Sequence, residues 1–460
     1  MKRFIALLVM LILGAACTPS PVPPTTASNN NSSAISQNAT TAPTQNTSSA
    51  PNAAPTQPAP QASPIAASGD AQTPTQICDS ATPAETPGNR TFAAYPEMVL
   101  QPDVDYRAVI CTGAGAVYVD LFEDLTPITV NSFVFLAGQG YYNNTTFHRV
   151  IEGFMAQGGD PTGTGSGGPG YQFQEEFVGF LNYDRPGMLA MARTNQPGTN
   201  GSQFFITTAA YPSLDYQYTL FGEVLEGQQN VNSIRLRDPQ TDPNPGTALD
   251  TVVIIADPES VATTYTPPTP ATREDVLAGL QSLANDPMLT QESLVLSVSP
   301  ALSVSEVQSS APESIREQYG TFLSEYNFAY RVNAVLNNPT CNLENATFMN
   351  MTYTVDAYET RTDAEAAFND AFLTTIPVAM GLPNISTPET LDGTLYTGTT
   401  QACNRAATRG LTYFNYGRFI IAIEATVPAD GESTPDVWIS RFANIFFGRG
   451  LSNVLRAEIR

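Results

Sequence analysis

Residues Phe147 to Asp160 read Phe-His-Arg-Val-Ile-Glu-Gly-Phe-Met-Ala-Gln-Gly-Gly-Asp, and Pro161-Thr162-Gly163-Thr164-Gly165 follows directly. Residue by residue, the block allows plain explanations. Phe154 and Met155, like Phe205 further on, sit at strand spacing, which belongs to a core more often than to a site. Arg149 alone would read as a surface ion-pair partner. His148 is the chain's one histidine, so a Ser/His/Asp triad would have to run through it. Gly163 to Gly168 fits a GxGxxG pattern. It follows Asp160-Pro161-Thr162 rather than a hydrophobic strand, and no helix opens after it. It therefore reads as a loop and not as a phosphate cradle.

The neighbouring sequence gives the block its context. Apolar residues alternate from Tyr106 to Phe122 around Thr112-Gly113-Ala114-Gly115, which predicts a hairpin. Pro127 starts a helical pattern with Val130, Phe133, Val134 and Ala137 on one face, and Gly138 and Gly140 end it. Short strands with glycine turns follow, and Thr251 to Ile255 reads as a closing strand. Many short strands with few helices predict a barrel or sandwich. Two further blocks stand out. Leu189-Ala190-Met191-Ala192-Arg193 leads to Thr199-Asn200-Gly201-Ser202-Gln203-Phe204-Phe205-Ile206-Thr207, and Leu214-Asp215 leads to Tyr218-Thr219-Leu220-Phe221-Gly222.

These three ordered blocks resemble the cyclophilin family over roughly residues 100 to 257. The resemblance implies an antiparallel eight-stranded β-barrel with two capping helices. It also implies peptidyl-prolyl cis–trans isomerase activity on proline-containing polypeptides, with no cofactor and no metal. Arg149 matches the family's catalytic arginine, which contacts the substrate proline's carbonyl. Phe154, Met155, Phe205 and Leu214 match the floor and walls of the proline pocket. Gln157 matches a residue that hydrogen-bonds the substrate backbone. Ala192 and Arg193 match the edge that pairs with the residues before proline, and Gln203 lies in the adjoining groove. The chain departs from the family at two positions. Tyr218 stands where many members have His, and Ser213 where many animal members have Trp. The second change implies weak inhibition by cyclosporin.

The reaction suits these residue types. Amide resonance makes X–Pro isomerisation slow, over tens to hundreds of seconds. Weakening that resonance takes a groove that holds proline and a cation that favours the twisted state. No proton is transferred, so His148 has no base to be. The alternative reading is a binding module that keeps the fold with little turnover, the C-terminal part supplying a ligand- or client-binding function.

The first 76 residues point to export. Met1-Lys2-Arg3 precedes an apolar run from Phe4 to Leu13, and Gly14-Ala15-Ala16 leads to Cys17. This pattern predicts a signal peptide over residues 1–16. A cysteine directly after small residues resembles a bacterial lipoprotein signal, with Cys17 lipidated and the chain anchored at the outer face of the cell membrane. Gly14 departs from the usual Leu three positions before the cysteine. Residues 17–76 are rich in Pro, Thr, Ser and Asn, with no charge until Asp70, and predict a disordered tether. Loss of Lys2 and Arg3 with the signal leaves 18 basic against 43 acidic residues, a net charge of −25 and no lysine. That balance argues against nucleic acid as a partner. Cys78, Cys111, Cys341 and Cys403 allow three pairings. Pairing within segments, Cys78–Cys111 and Cys341–Cys403, is the simplest, and an oxidising exterior permits it.

The domain boundaries expected on these grounds are 77–258 for the cyclophilin-like domain, 259–270 for a Pro/Thr-rich linker and 271–460 for an α+β domain. In the last, Thr272-Arg273-Glu274-Asp275 opens a helix, and helical periodicity returns between Ser314 and Leu336. Phe348 to Ala357 alternates as a strand and Thr362 to Thr374 reads as a helix. Leu411 to Val427 reads as two strands about Tyr416-Gly417, and Val437 to Phe447 as a helix carrying Trp438. The segment contains no histidine and no catalytic constellation legible from sequence.

Overall fold

A computed structural model describes residues 71–458, apart from 83, 103, 288, 290–293, 339–348, 389, 392 and 431–433. The expected signal peptide, Cys17, most of the tether and Cys341 lie outside the described residues.

Among the described residues, the first sheet has nine strands. They are β1 (Arg107–Thr112), β2 (Gly115–Leu121), β3 (Thr145–Phe147), β4 (Arg149–Ile151), β5 (Met155–Gly158), β6 (Met188–Met191), β7 (Phe204–Thr207), β8 (Leu220–Glu226) and β9 (Thr247–Ile255). The expected number was eight. The order is β3-β9-β1-β2-β8-β6-β7-β5-β4, and the difference lies at His148. β3 pairs with β9 and β4 with β5, so two three-residue strands stand at opposite ends of the order with one residue between them. His148 is where a single strand changes partners, and it closes the sheet into a nearly complete barrel. The free edge of β4 is covered by Arg237, whose backbone exchanges hydrogen bonds with Val150 at 2.8 and 3.1 Å.

Strand alternation sends residues to two cores. Phe147, Phe204, Ile206, Leu189 and Phe221 point into the barrel with Phe133 and Val130 from the first capping helix. That helix (Pro127–Gly138) has no side-chain N-cap of its own. The carboxylate of Glu176, distant in sequence, accepts instead from Ile128 N, Thr129 N and Thr129 Oγ1 at 2.7–3.1 Å. The second capping helix is a short piece, Gln228–Asn232.

A further helix, Pro74–Ala81, also packs on the barrel and corrects the expected end of the tether. Residues 71–76 are ordered: Thr73 and Gln76 form a capping box, Pro74 occupies the first turn, and Gln72 bridges to Val261. Ile77 is buried against Val109, Tyr118 and Val261. Cys78 of this helix is bonded to Cys111 of β1. Closing a loop of 33 residues removes about 3–4 kcal/mol of unfolded-chain entropy. In chain order these three helices are α1 (74–81), α2 (127–138) and α3 (228–232). Because Val261 is buried and paired, the linker between the two sheets begins after it rather than at 259.

The second sheet is antiparallel throughout its described strands, β10 (Val295–Val298), β11 (Phe328–Asn337), β12 (Asn350–Tyr358), β13 (Asn384–Ser386), β14 (Leu395–Ala402), β15 (Arg405–Tyr416) and β16 (Phe419–Pro428), in the order β10-β11-β12-β16-β15-β14-β13. Around it lie α4 (Arg273–Ser282), α5 (Val304–Ser310), α6 (Arg316–Glu325), α7 (Arg361–Asn369), α8 (Thr375–Ala379), α9 (Pro435–Ile445) and α10 (Ser452–Glu458). The helical reading of Ser314 to Leu336 fails beyond Glu325. Asn327 takes a left-handed φ of 50°, and the buried residues Val332, Ala334 and Leu336 then recur every second position. Cys403 is disulfide-bonded.

The apolar face of this sheet (Val332, Met351, Tyr353, Val355, Ile421, Ile423) packs on Trp438, Phe442, Phe446 and Leu455. The same cluster runs on without a break into Phe180, Leu181, Tyr183, Met155, Phe205 and Leu214 of the barrel. The core of the second domain is thus continuous with the barrel's outer face.

Glu123 lies at the end of β2, near this junction. Burial pushes its carboxyl up to about 8, and the nearby Asp105 and Asp124 add to the push. Between about pH 4.5 and 8 the folded chain holds a proton that the unfolded chain has released, so stability falls as pH rises through that window. Glu123→Gln is expected to remove this decline and to stabilise at pH 8 by on the order of 2 kcal/mol, with little gain at pH 5. Urea midpoints at the two pH values check this, and an equal gain at both would refute it.

Candidate active site

The candidate residues converge because of strand register. Arg149 faces Gln157 across β4–β5, Gln157 faces Phe205 across β5–β7, and Phe205 faces Ala190 across β7–β6. Cross-strand partners share a face. Met155 lies two residues from Gln157 and points the same way. Hence Arg149, Gln157, Met155 and Phe205 line the outer face of the barrel, while their neighbours Ala156 and Phe204 fill its interior.

Arg149 is half-buried. Its Nη1 lies 3.4 Å from Gln157 Oε1, a neutral acceptor, and among the described residues no carboxylate pairs with the guanidinium. Gln157 Nε2 donates to Gln203 Oε1 at 2.9 Å, and Gln203 Nε2 donates to the carbonyls of Gly165 and Gly167 at 3.1 and 2.9 Å. The glycine loop that supplies those carbonyls is pinned from beneath. Asp160 is fully buried and accepts from Thr162 N, Thr164 N and Gly165 N. Burial pushes the Asp160 carboxyl up, but hydrogen bonds from Thr162, Gly167 and Gly165 outweigh it and hold it below its ordinary range. A side chain on Gly167 would run into Asp160 Oδ1. The loop is therefore an oriented acceptor for a relay of two amides that ends at Arg149.

Beside the cation lies an apolar surface. Met155, Phe205 and Leu214 are buried in one cluster, with Phe154, Ala192 and Tyr218 partly buried against it. Tyr218 meets Phe205 edge-on at 5.8 Å, and Phe154 lies against Tyr211 with ring centroids 4.5 Å apart. Arg193 is engaged within the chain: it donates to Gln217 O at 2.9 and 2.7 Å, pairs with Glu175 at 3.2 Å and lies over the Tyr218 ring. Its side chain thereby fixes the 217–218 loop, and the backbone of Ala192 donates to Gln203 O at 2.9 Å. A groove of about 840 Å³ extends past Gln157, Gln203, Ala192 and Arg193 to Gly165–Tyr171. Ser213 is exposed.

His148 is buried at 1% exposure. Burial pushes its ring pKa down, and the guanidinium groups of Arg237 and Arg149 push the same way against Asp160. The ring is neutral at pH 7 and sits at the strand switch, close to Gly165.

Sequence reasoning did not find Asp160, Glu175, Tyr183 or Tyr211. The first lay in plain view at the end of the quoted block. The other three act through contacts 18 to 57 positions away from their partners, for which a single sequence carries no signal.

A family model described as cyclophilin type peptidyl-prolyl cis-trans isomerase/CLD matches residues 107–255. Peptidyl-prolyl cis-trans isomerase A of Mycobacterium tuberculosis is 48% identical over 145 residues, 28% of this chain and 79% of that protein. A probable peptidyl-prolyl cis-trans isomerase A of Mycobacterium leprae is 44% identical over 167 residues, 32% of this chain and 91% of that protein. The crystal structure of a Cryptosporidium parvum cyclophilin type isomerase in the presence of the dipeptide Ala-Pro is 38% identical, covering 33% of this chain and 99% of that chain with a TM-score of 0.31.

Proposed function

The chain belongs to the cyclophilin-type peptidyl-prolyl cis–trans isomerase family and is a peptidyl-prolyl isomerase; from this premise we propose that it works on X–Pro bonds of exported polypeptides, with Arg149 as its catalytic residue, anchored through a lipid on Cys17. The observation that carries the site assignment is the cross-strand row. It sets a guanidinium whose partner among the described residues is neutral beside an apolar pocket on the barrel's outer face.

The geometry suits the reaction as follows. The substrate's prolyl ring rests on Met155, Phe205 and Leu214, between Phe154 and Tyr218. Arg149 donates to the carbonyl of the proline residue, close enough to its nitrogen to draw that nitrogen toward a pyramidal form. A pyramidal nitrogen no longer shares its lone pair with the preceding carbonyl, and the C–N bond turns. Gln157 holds the substrate backbone and is itself held by Gln203. The Ala192–Arg193 edge receives the residues before proline. No group gains or loses a proton, which is consistent with a buried, neutral His148. Each 1.36 kcal/mol by which the site favours the twisted state gives about tenfold in rate.

Export and anchorage rest on the first 17 residues. Lipidation contributes roughly 0.8 kcal/mol per buried CH₂ to membrane attachment. Cells fed labelled palmitate should yield a labelled, membrane-bound chain, and Cys17→Ser should abolish the label and release the protein. Equal label in both would defeat the anchor while leaving the isomerase reading intact.

A further inference from the structure

The pocket assigned to proline rests on a segment that the second domain holds. Gly179 to Asp184 passes between the barrel and the C-terminal helices. On one side its backbone carbonyls are taken by α10: Ser452 Oγ donates to Phe180 O at 3.0 Å, and Arg456 donates to Phe180 O and Asn182 O and pairs with Asp184 at 3.2 Å. Asn182 Nδ2 donates to Gly448 O at 2.8 Å. A Cβ on Gly448 would strike Gly179 O at 2.8 Å, and one on Gly179 would crowd Asn444 and Phe447 at 3.2 Å. The Tyr216 hydroxyl donates to Gly179 O at 2.8 Å and reaches 3.5 Å from Asn444 O of α9.

On its other side the segment supports the groove. The Tyr183 ring lies nearly parallel to Phe205, at 6.2 Å and 17°. Its hydroxyl donates to Tyr218 O at 3.1 Å, and its backbone N donates to Asp215 Oδ1 at 2.8 Å. Tyr211 N donates to Tyr183 O. Tyr183 therefore touches two pocket residues directly, Phe205 and Tyr218, and fixes the 211–218 loop that also carries Leu214. Tyr183 is 1% and Arg456 4% exposed. A buried cation is retained at a desolvation penalty, and here its fork is spent on carbonyls of one short segment. Loss of those contacts frees the segment under the pocket but leaves β4 and Arg149 untouched.

We infer that Arg456 and Tyr183 are positioning residues of the isomerase: the second domain, through α10, sets the shape of the proline pocket, so that full substrate affinity requires the domain to be docked. This inference rests on the assignment of Phe205, Leu214 and Tyr218 to the pocket.

The test compares full-length wild type, Arg149→Ala, Arg456→Met and Tyr183→Phe in a proline-isomerisation assay on a chromogenic Ala-Pro peptide. Each is measured well below its melting temperature, with the folded fraction determined separately. A loosened pocket weakens ground-state and transition-state binding together, so Arg456→Met should raise KM five- to tenfold with kcat changed less than twofold. Tyr183→Phe, which loses only the hydroxyl, should raise KM two- to threefold. Arg149→Ala should instead lower kcat. A merely structural role for Arg456 would lower the melting temperature and leave KM of the folded fraction unchanged, and that result overturns the inference. If Arg456→Met does not fold, Tyr183→Phe decides: a KM equal to wild type overturns it. If Arg149→Ala retains full activity, the assignment of the groove itself fails.

Discussion

Arg149→Ala is expected to lower kcat/KM for an X–Pro peptide by about 10²–10³, the size of effect seen when one preorganised donor to a transition state is removed. That corresponds to about 2.7–4 kcal/mol of transition-state stabilisation. The loss should fall on kcat, because the apolar pocket proposed for proline does not depend on Arg149 and stays intact. Stability should change by less than about 1 kcal/mol, since the side chain is half-buried and its contact with Gln157 is a weak one at 3.4 Å. Arg149→Lys should recover only part of the rate: it keeps the charge but loses the planar fork. Isomerisation kinetics on the purified chain, with urea unfolding in parallel, check both halves. Activity of Arg149→Ala within threefold of wild type would remove the cation from the mechanism.

How much of the candidate site and of the fold is legible in sequence is a matter of distance along the chain. Arg149, Phe154, Met155 and Gln157 lie within nine positions, on two strands and the tight turn Glu152-Gly153-Phe154 that joins them. Their types and spacing are set locally. The hairpin at Thr112–Gly115 is likewise announced by its own turn residues, and the helix from Pro127 by the proline that starts it and the glycines that end it. What failed to show was long-range. His148 splits a strand because β9 and β5 take its two halves, and no periodicity marks a change of partners. Helix Pro74–Ala81 carries its own capping box, but only burial against Val109 and Val261 makes it part of the fold. Ser314 to Leu336 misled because a helix and a strand abut within three residues, and short apolar runs suit both periods. The contact of Arg456 with Phe180 spans a separation in which one sequence holds no information at all.

Adjacent phenylalanines on β7 offer the second large effect and a direct test of which face carries function. Phe204 points into the barrel against Phe133 and Tyr142 at 0% exposure, and Phe205 points outward against Tyr183 and Tyr218 at 5%. Phe204→Ala should lose about 3–5 kcal/mol of stability, as expected for emptying a close-packed core. Its folded fraction should bind and turn over X–Pro peptides nearly as wild type does. Phe205→Ala should lose less stability, about 2–3 kcal/mol, because solvent in the groove can enter the space left behind. Its kcat/KM should fall by about 10–100-fold, through loss of the apolar wall against which the prolyl ring packs, an effect of about 1.5–3 kcal/mol. Phe205→Leu should restore much of the binding, since it keeps a large apolar group at the same place. Urea midpoints give the stability terms and isomerisation at fixed folded fraction gives the rest. If Phe204→Ala weakens turnover as much as Phe205→Ala does, the outer face is not the site, and strand alternation has been given a meaning it does not have. If only Phe205→Ala does so, the same chemistry removed one residue apart separates what holds the barrel together from what it offers to substrate.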